Sequence, residues 1–216
     1  MQTRSDLTPT TLAQRVATGL VLAVAFMGCW GTASAGKPHA AGAASQADAG
    51  GFQLTEKVKI PADARSDYDN AMRLVDAKQY DQGIALLLRV TQKAPNATAA
   101  FVDLGIAYSK SGDLDKALTS LRHAVELNPR QLVAYNELGI VYRRKGDFAA
   151  ARESYERALG VFPGFHYARL NLAILCDLYL ADLTCARDNY AAYEQLVPDD
   201  KQVAKWLAAV NARAKP

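Results

Sequence analysis

The sequence predicts an all-α protein, a solenoid of about four helical hairpins that ends in one capping helix. Prolines recur at nearly constant spacing, at positions 95, 129, 163 and 198, and such a period is typical of stacked helix pairs. The two middle units share a Gly-Asp pair, Gly112-Asp113 and Gly146-Asp147, at the same distance before the proline. Half of the residues are hydrophobic and 22% are charged, a balance that suits packed helices.

The first 35 residues have the pattern of an export signal. Arg4 and Arg15 supply positive charge, residues 16–28 form a short apolar stretch, and Ala33-Ser34-Ala35 has the small residues of a cleavage site. The apolar stretch is shorter than the roughly 20 residues that a membrane-spanning helix needs. We therefore expect an exported protein in which residues 1–35 are a signal peptide.

A second interpretation of this segment depends on Cys29. This cysteine follows Phe26-Met27-Gly28 at the end of the apolar stretch, which resembles the lipobox of bacterial lipoproteins. The resemblance implies a leader that ends at residue 28 and an acylated Cys29 that anchors the protein to a membrane. Phe26 and Met27 depart from the residues usual in a lipobox, so cleavage after Ala35 and lipidation of Cys29 both stay open.

Residues 36–60 are predicted to be a flexible linker, because Ala, Gly and Ser dominate them as far as Gly51 without apolar periodicity. Removal or acylation of Cys29 leaves Cys176 and Cys185 as the free thiols. Both are predicted to flank the turn of the fourth hairpin, and in an oxidising compartment such a pair is a candidate disulfide. Two buried, reduced cysteines are the alternative.

A repeat domain is predicted over residues 61–198, followed by a capping helix over 199–216. The prolines place its four units at about 64–97, 98–131, 132–165 and 166–200. Asp199-Asp200 can cap the last helix, whose apolar stripe includes Trp206. We expect that stripe to cover the end of the fourth unit, with a ligand platform at Trp206 as the alternative.

The composition of the middle units has mechanical reasons. Gly105 and Gly139 are expected where the first helix of a hairpin comes close to the second, with Ala117 and Ala151 on the facing surface. In the Gly-Asp pair, Gly tolerates the left-handed conformation that ends a helix, and Asp caps the helix that follows. The proline of each unit ends its second helix.

The two middle units resemble the tetratricopeptide repeat. The residues that carry the resemblance are equally spaced in both units: Phe101, Leu104, Gly105, Tyr108, Ala117, Leu121, Ala124 and Pro129, then Tyr135, Leu138, Gly139, Tyr142, Ala151, Tyr155, Ala158 and Pro163. The outer units match less well, since Gly83 replaces the usual Ala and Cys176 the usual Tyr. The resemblance implies a right-handed α-solenoid that binds peptides or helices on its concave face.

In that family the first helix of each hairpin builds most of the concave face. The resemblance therefore implies a partner-binding groove to which all four units contribute: Tyr68, Met72, Val102, Ile106, Lys110, Asn136, Ile140, Arg143, Arg144, Tyr167, Leu170 and Ile174. We expect an apolar middle with a basic lip, and contiguous exposed apolar surface usually marks an interaction site. The alternative is that an N-terminal segment or a neighbouring repeat covers these apolar residues.

The groove is not expected to be the chaperone-type clamp that grips a C-terminal carboxylate. Clamps of that family use Lys and Asn in the first repeat and basic residues in the third. This sequence has Tyr68 and Met72, then Val133 and Glu137, in those places.

We expect no enzymatic activity, no cofactor and no metal. The three histidines lie far apart in the sequence, at positions 39, 123 and 166. The glycines recur at packing positions rather than in a phosphate-binding loop or a nucleophile elbow. The formal charge of +3 is spread along the chain, which argues against a nucleic acid partner.

The expected function is a non-enzymatic scaffold or adaptor of the bacterial cell envelope that holds other envelope proteins in its groove. The resemblance implies pilus biogenesis, outer-membrane assembly or a TonB-type complex as settings, and no motif selects among them. A self-associating structural module and a periplasmic protein that binds a small ligand or the cell wall are the alternatives. Membrane contact is expected only through an anchor at Cys29.

Overall fold

The computed structural model describes residues 60–214. Within that range the chain forms helices and no strands. The helices are α1 (Ala62–Asp76), α2 (Tyr80–Lys93), α3 (Thr98–Ser111), α4 (Leu114–Leu127), α5 (Leu132–Lys145), α6 (Phe148–Val161), α7 (His166–Leu178), α8 (Leu183–Leu196) and α9 (Lys201–Arg213). The predicted all-α fold is confirmed. The predicted export signal, Cys29 and the linker up to residue 59 lie outside the described residues.

The helices pair as consecutive hairpins, α1 with α2, α3 with α4, α5 with α6 and α7 with α8, and α9 packs on α8. Each second helix also packs on the first helix of the next hairpin. The first helices, which we call the A-helices, contact one another in order: α1, α3, α5 and α7. The A-helices therefore lie side by side and form one continuous surface, as a solenoid requires.

The Gly-Asp turns of the two middle hairpins act as the sequence predicts. Gly112 and Gly146 end α3 and α5 in the left-handed conformation, with φ of 98° and 81°. Side chains of Asp113 and Asp147 then accept hydrogen bonds from the third backbone amide that follows, at 3.2 and 3.0 Å. In the outer hairpins Lys78 and Ala181 adopt positive φ without being glycine.

The two packing glycines leave room for a large side chain. A Cβ built on Gly105 would lie 2.5 Å from Cγ of Leu121, and one built on Gly139 would lie 2.4 Å from Cε1 of Tyr155. Leu121 and Tyr155 follow Ala117 and Ala151 by four residues, so they project from the same face of the second helix. The close approach predicted at these glycines thus accommodates Leu121 and Tyr155, both fully buried.

Apolar side chains are buried at both ends of the described solenoid. Ile60, predicted to be the last residue of the linker, is 6% exposed and packs with Ala64 and Val90, so it belongs to the folded unit. At the other end Val203 and Val210 of α9 are buried. Trp206 lies with its ring 6.0 Å from that of Tyr190 and is 36% exposed. None of the helices between residues 60 and 214 is both long and apolar enough to cross a membrane.

Candidate protein-binding face

An apolar row runs across the A-helices. Met72, Ile106, Ile140 and Ile174 stand 34 residues apart, one on each A-helix, and each is partly exposed. The three isoleucines pack on buried core residues with one side, so the other side is left to solvent or to a partner. These four members of the predicted groove are brought into line by the fold.

Two residues of the predicted groove are not available to a partner. Val102 and Asn136 are each 5% exposed. Val102 packs into the core with Ala117 and Leu118. The Oδ1 atom of Asn136 accepts a hydrogen bond from Asn171 on the next A-helix, at 2.9 Å. Both residues form the floor beneath the face, and their assignment to the binding surface is corrected.

The predicted basic lip is largely engaged within the protein. The guanidinium of Arg144 donates to the backbone carbonyl of Ser109 and, at 2.9 Å, to its hydroxyl. The guanidinium of Arg143 lies 5.9 Å from the ring centre of Tyr179. Lys110 is exposed and forms no ion pair with another described residue. The two arginines therefore tie neighbouring elements together, so less of the predicted basic lip is free to meet a partner.

A polar row, which was not among the predicted groove residues, lies beside the apolar row. Asp69, Asp103, Glu137 and Asn171 each precede a member of the apolar row by three residues, and residues three apart share a helix face. The signal was present in the sequence as the same 34-residue period. The middle of the face therefore carries carboxyl groups beside its apolar side chains.

Burial shapes the electrostatics of this polar row. The hydroxyl of Tyr68 on α1 donates to Oδ2 of Asp103 on α3 at 2.6 Å. Burial raises the pKa of Asp103 to about 6, against the opposing effects of that hydrogen bond and of Lys110. Burial likewise raises the pKa of Glu137, with Asn136 and Lys110 opposing the shift. Burial therefore disfavours the charged forms of both carboxyls by removing them from solvent.

The remaining groove residues differ in exposure. Tyr167 on α7 is 48% exposed, and Tyr68 and Leu170 are partly buried. His166, next to Tyr167, is buried with its ring centre 4.1 Å from that of Tyr167. Tyr167 is thus the more exposed of the two aromatic side chains in the predicted groove.

Cys176 and Cys185 form a disulfide between α7 and α8, with sulfurs 2.03 Å apart and Cα atoms 5.9 Å apart. Asp182 lies beside them, and its carboxylate and the two sulfurs fall within 4.8 Å of one another. One oxygen of Asp182 accepts from the amide of Cys185 at 3.0 Å and the other from Arg152 at 3.2 Å. All the ligand atoms of this group are already in use, so we assign it a structural role.

Comparisons with known proteins agree with the helical repeat. A family pattern described as "TPR repeat" matches residues 105–146, and one described as "Tetratricopeptide repeat" matches residues 133–165. No curated protein matches the sequence.

Solved structures with the same fold are similar to this chain at low identity. MamA from Desulfovibrio magneticus RS-1 is 18% identical, with 71% of this chain and 86% of that chain covered and a TM-score of 0.63. TTC0263, a thermophilic tetratricopeptide-repeat protein of Thermus thermophilus, is 23% identical, with 70% and 83% covered and a TM-score of 0.61. At these identities the likeness extends to the fold alone.

Proposed function

Because the chain is a tetratricopeptide-repeat protein, we propose that it is a non-enzymatic scaffold whose A-helix face holds a segment of another protein. Tetratricopeptide repeats generally mediate contacts between proteins, and proteins built from them are generally scaffolds rather than enzymes. Every hairpin contributes its first helix to the A-helix face.

The observation that carries the proposal is the apolar row. Four side chains of similar size, from Met72 to Ile174, recur at the same position of four consecutive A-helices and are all partly exposed. Contiguous apolar surface commonly marks a binding site. A segment laid across the A-helices would contact all four at once.

The cell envelope is the setting that we propose for this activity. The apolar stretch and the small residues at 33–35 support export, and pilus biogenesis, outer-membrane assembly and TonB-type complexes are the candidate processes. The intact mass of the mature protein tests the anchor. A chain starting at Gly36 is a soluble form, an acylated Cys29 is a lipoprotein, and an intact leader contradicts export.

Crosslinking in cells tests the binding face. We compare the wild type with an Ile106→Glu, Ile140→Glu variant, and expect captured partners to be lost because two charges interrupt the apolar row. The matched control is a Leu88→Glu, Ala149→Glu variant, which adds the same two charges at exposed positions on α2 and α6. Circular dichroism and the thermal midpoint establish that both variants fold.

Three outcomes contradict the proposal. If the Ile106→Glu, Ile140→Glu variant, here called the groove variant, captures the same partners as the wild type, the contact lies on another surface. Loss of capture in the control variant alone would mean the same. A concentration-dependent dimer that only the groove variant loses, measured by sedimentation, would identify a second copy of the chain as the occupant.

A further inference from the structure

Side-chain hydrogen bonds join members of the polar row to the preceding A-helix. Tyr68 on α1 bonds to Asp103 on α3, and Asn136 on α5 bonds with Asn171 on α7. Each pair is separated by 35 residues. Tyr68 and Asn136 each come directly before a member of the polar row in the sequence. In both pairs such a residue on one A-helix bonds to the member of the polar row on the next A-helix.

Glu137 lacks this contact because of one apolar residue. The position on α3 that corresponds to Tyr68 and Asn136 is occupied by Val102, which has no polar atom. Glu137 retains a hydrogen bond from Nδ2 of Asn136 at 3.3 Å, a long distance for a bond to a carboxylate. A donor supplied from outside would stabilise its charged form, which burial now disfavours.

Asp69 lacks a contact of this kind because it lies on α1, the first A-helix of the described residues, and no described A-helix comes before α1 to supply a partner. Its Oδ1 is shielded from solvent and has no hydrogen-bond partner among residues 60–214. An acceptor in that condition is unfavourable, since its interaction with water has been lost without replacement. Asp69 and Glu137 are thus the two carboxylates of the row that are short of a donor.

We propose that the segment bound on the A-helix face is basic and amphipathic, with Lys or Arg side chains that donate to Asp69 and Glu137 and apolar side chains that cover the apolar row. This inference rests on the proposed function and specifies the chemistry of its partner. The two rows lie one helical turn apart on every A-helix, so a partner meets them together. A segment with cationic and apolar side chains on adjoining strips of one face matches that arrangement.

The repeat fixes the spacing of such a partner. Packed helices lie about 8–10 Å apart, and seven residues of a crossing α-helix rise by about 10.5 Å. Asp69 and Glu137 stand on A-helices separated by one other, so two cations about 14 residues apart in a helix would reach both. Apolar side chains recurring about every seventh residue would follow the apolar row.

Lys110 is a cation on α3 that lowers the pKa of both Asp103 and Glu137. It forms no ion pair with either carboxylate, and its own side chain is exposed. Lys110 therefore offsets part of the negative charge without supplying the missing donor.

The test uses the full chain and two synthetic amphipathic peptides, each about 21 residues long so that a helix of roughly 30 Å crosses four A-helices. Both carry Leu at the heptad spacing, and one has Lys where the other has Glu. Fluorescence anisotropy should show that the wild type binds the Lys peptide at least about tenfold more tightly than the Glu peptide.

The matched variants isolate the two carboxylates. Asp69→Asn, Glu137→Gln keeps the size of both side chains and removes their charge, and should weaken binding of the Lys peptide by about tenfold or more. The control, Asp81→Asn, Glu126→Gln, removes the same charge from exposed positions on α2 and α4 and should leave binding within about twofold, because exposed charges at a distance are screened.

The outcomes separate this inference from the proposed function. Equal binding of both peptides, failure of the Lys peptide to bind, or equal effects of the two carboxylate variants would overturn the basic partner. If the peptides bind equally and Ile106→Glu, Ile140→Glu abolishes both, the face binds proteins and only the charge assignment is wrong. If that variant changes nothing, the face itself is wrong.

Discussion

Gly139 shows how closely the two helices of a hairpin approach. A methyl group there would lie 2.4 Å from Cε1 of Tyr155, well inside van der Waals contact. The ring of Tyr155 is fully buried, so it cannot move away into solvent. Gly160, near the end of α6, has no atom within 4 Å of the same methyl position.

We therefore predict opposite effects of the same substitution at these two glycines. Gly139→Ala should lower the free energy of unfolding by about 1–3 kcal/mol through overpacking. Gly160→Ala should raise it by about 0.5–1 kcal/mol, because alanine is the better helix former. Urea denaturation measures both, and a stabilised Gly139→Ala variant would show that the hairpin has room to spare.

Asp103 gives the protein a pH dependence with an identifiable sign. Its folded pKa of about 6 exceeds the ordinary value of 3.8, so the folded state takes up a proton at a higher pH than the unfolded state. As the pH falls from about 6 to 3.8, the contribution of Asp103 therefore raises the free energy of unfolding. Asp113 and Asp182, whose pKa values are lowered by hydrogen bonds, act in the opposite direction, so the effect must be read as a difference between variants.

Asp103→Asn should remove that contribution, since the amide oxygen still accepts from Tyr68 and never ionises. We predict that the variant gains stability over wild type at pH 7 by an amount of the order of 1–3 kcal/mol, and that the gain shrinks as the pH falls through about 6 towards 4. Guanidinium unfolding at several pH values checks this. A constant difference between pH 7 and 4 would mean that the carboxyl has its ordinary pKa.

At the scale of the element, the fourth hairpin compensates for an irregular turn. α7 ends at Leu178 and α8 begins at Leu183, and Ala181 between them has a φ of 53°, a conformation that side chains with a Cβ disfavour. The disulfide spans this turn with a sequence separation of 9. It restricts the unfolded chain at the place where the repeat pattern is weakest.

We predict that the bridge stabilises the protein by about 2–3 kcal/mol, as expected for a short closed loop. Urea unfolding with and without reductant measures this, and a Cys176→Ala, Cys185→Ala variant, which should not respond to reductant, is the control. Alkylation of the denatured, non-reduced protein should label neither cysteine. Labelling of both would show that the thiols are reduced in the mature protein.

At the scale of the whole described solenoid, the main contacts run within a hairpin or between a hairpin and the next one. Each hairpin touches the next, and α9 touches α8, so stability is expected to be distributed along the array rather than held in one common core. α9 covers the last hairpin through Val203 and Val210, both buried.

Weakening α9 should therefore act locally. We predict that Val203→Ala, Val210→Ala speeds amide hydrogen exchange in α7 and α8 and leaves α1 to α4 nearly unchanged. Exchange followed by mass spectrometry resolves the helices, and the Gly139→Ala variant, which acts in the third hairpin, serves as the comparison. An equal acceleration in every helix would indicate one cooperative unit.

The sequence by itself determined the repeat, its helices and its caps, because each of these depends on local chemistry. A glycine able to adopt positive φ and an aspartate able to cap the next helix are adjacent in the sequence, and the 34-residue period repeats that local pattern from one hairpin to the next. For the same reason the sequence shows Met72, Ile106, Ile140 and Ile174 at one position of the repeat on every A-helix. Local pattern also indicated that Cys176 and Cys185 flank one turn.

Only the tertiary structure decided which side chains line the face and which lie beneath it. Val102 and Asn136 carry positions typical of the groove, yet packing against the neighbouring helices buries both. The hydrogen bonds from Tyr68 to Asp103 and between Asn136 and Asn171 show that Asp69 and Glu137 have no corresponding partner on a preceding A-helix. Such contacts join residues 35 apart, and their strength depends on the identity of a partner that local sequence does not specify.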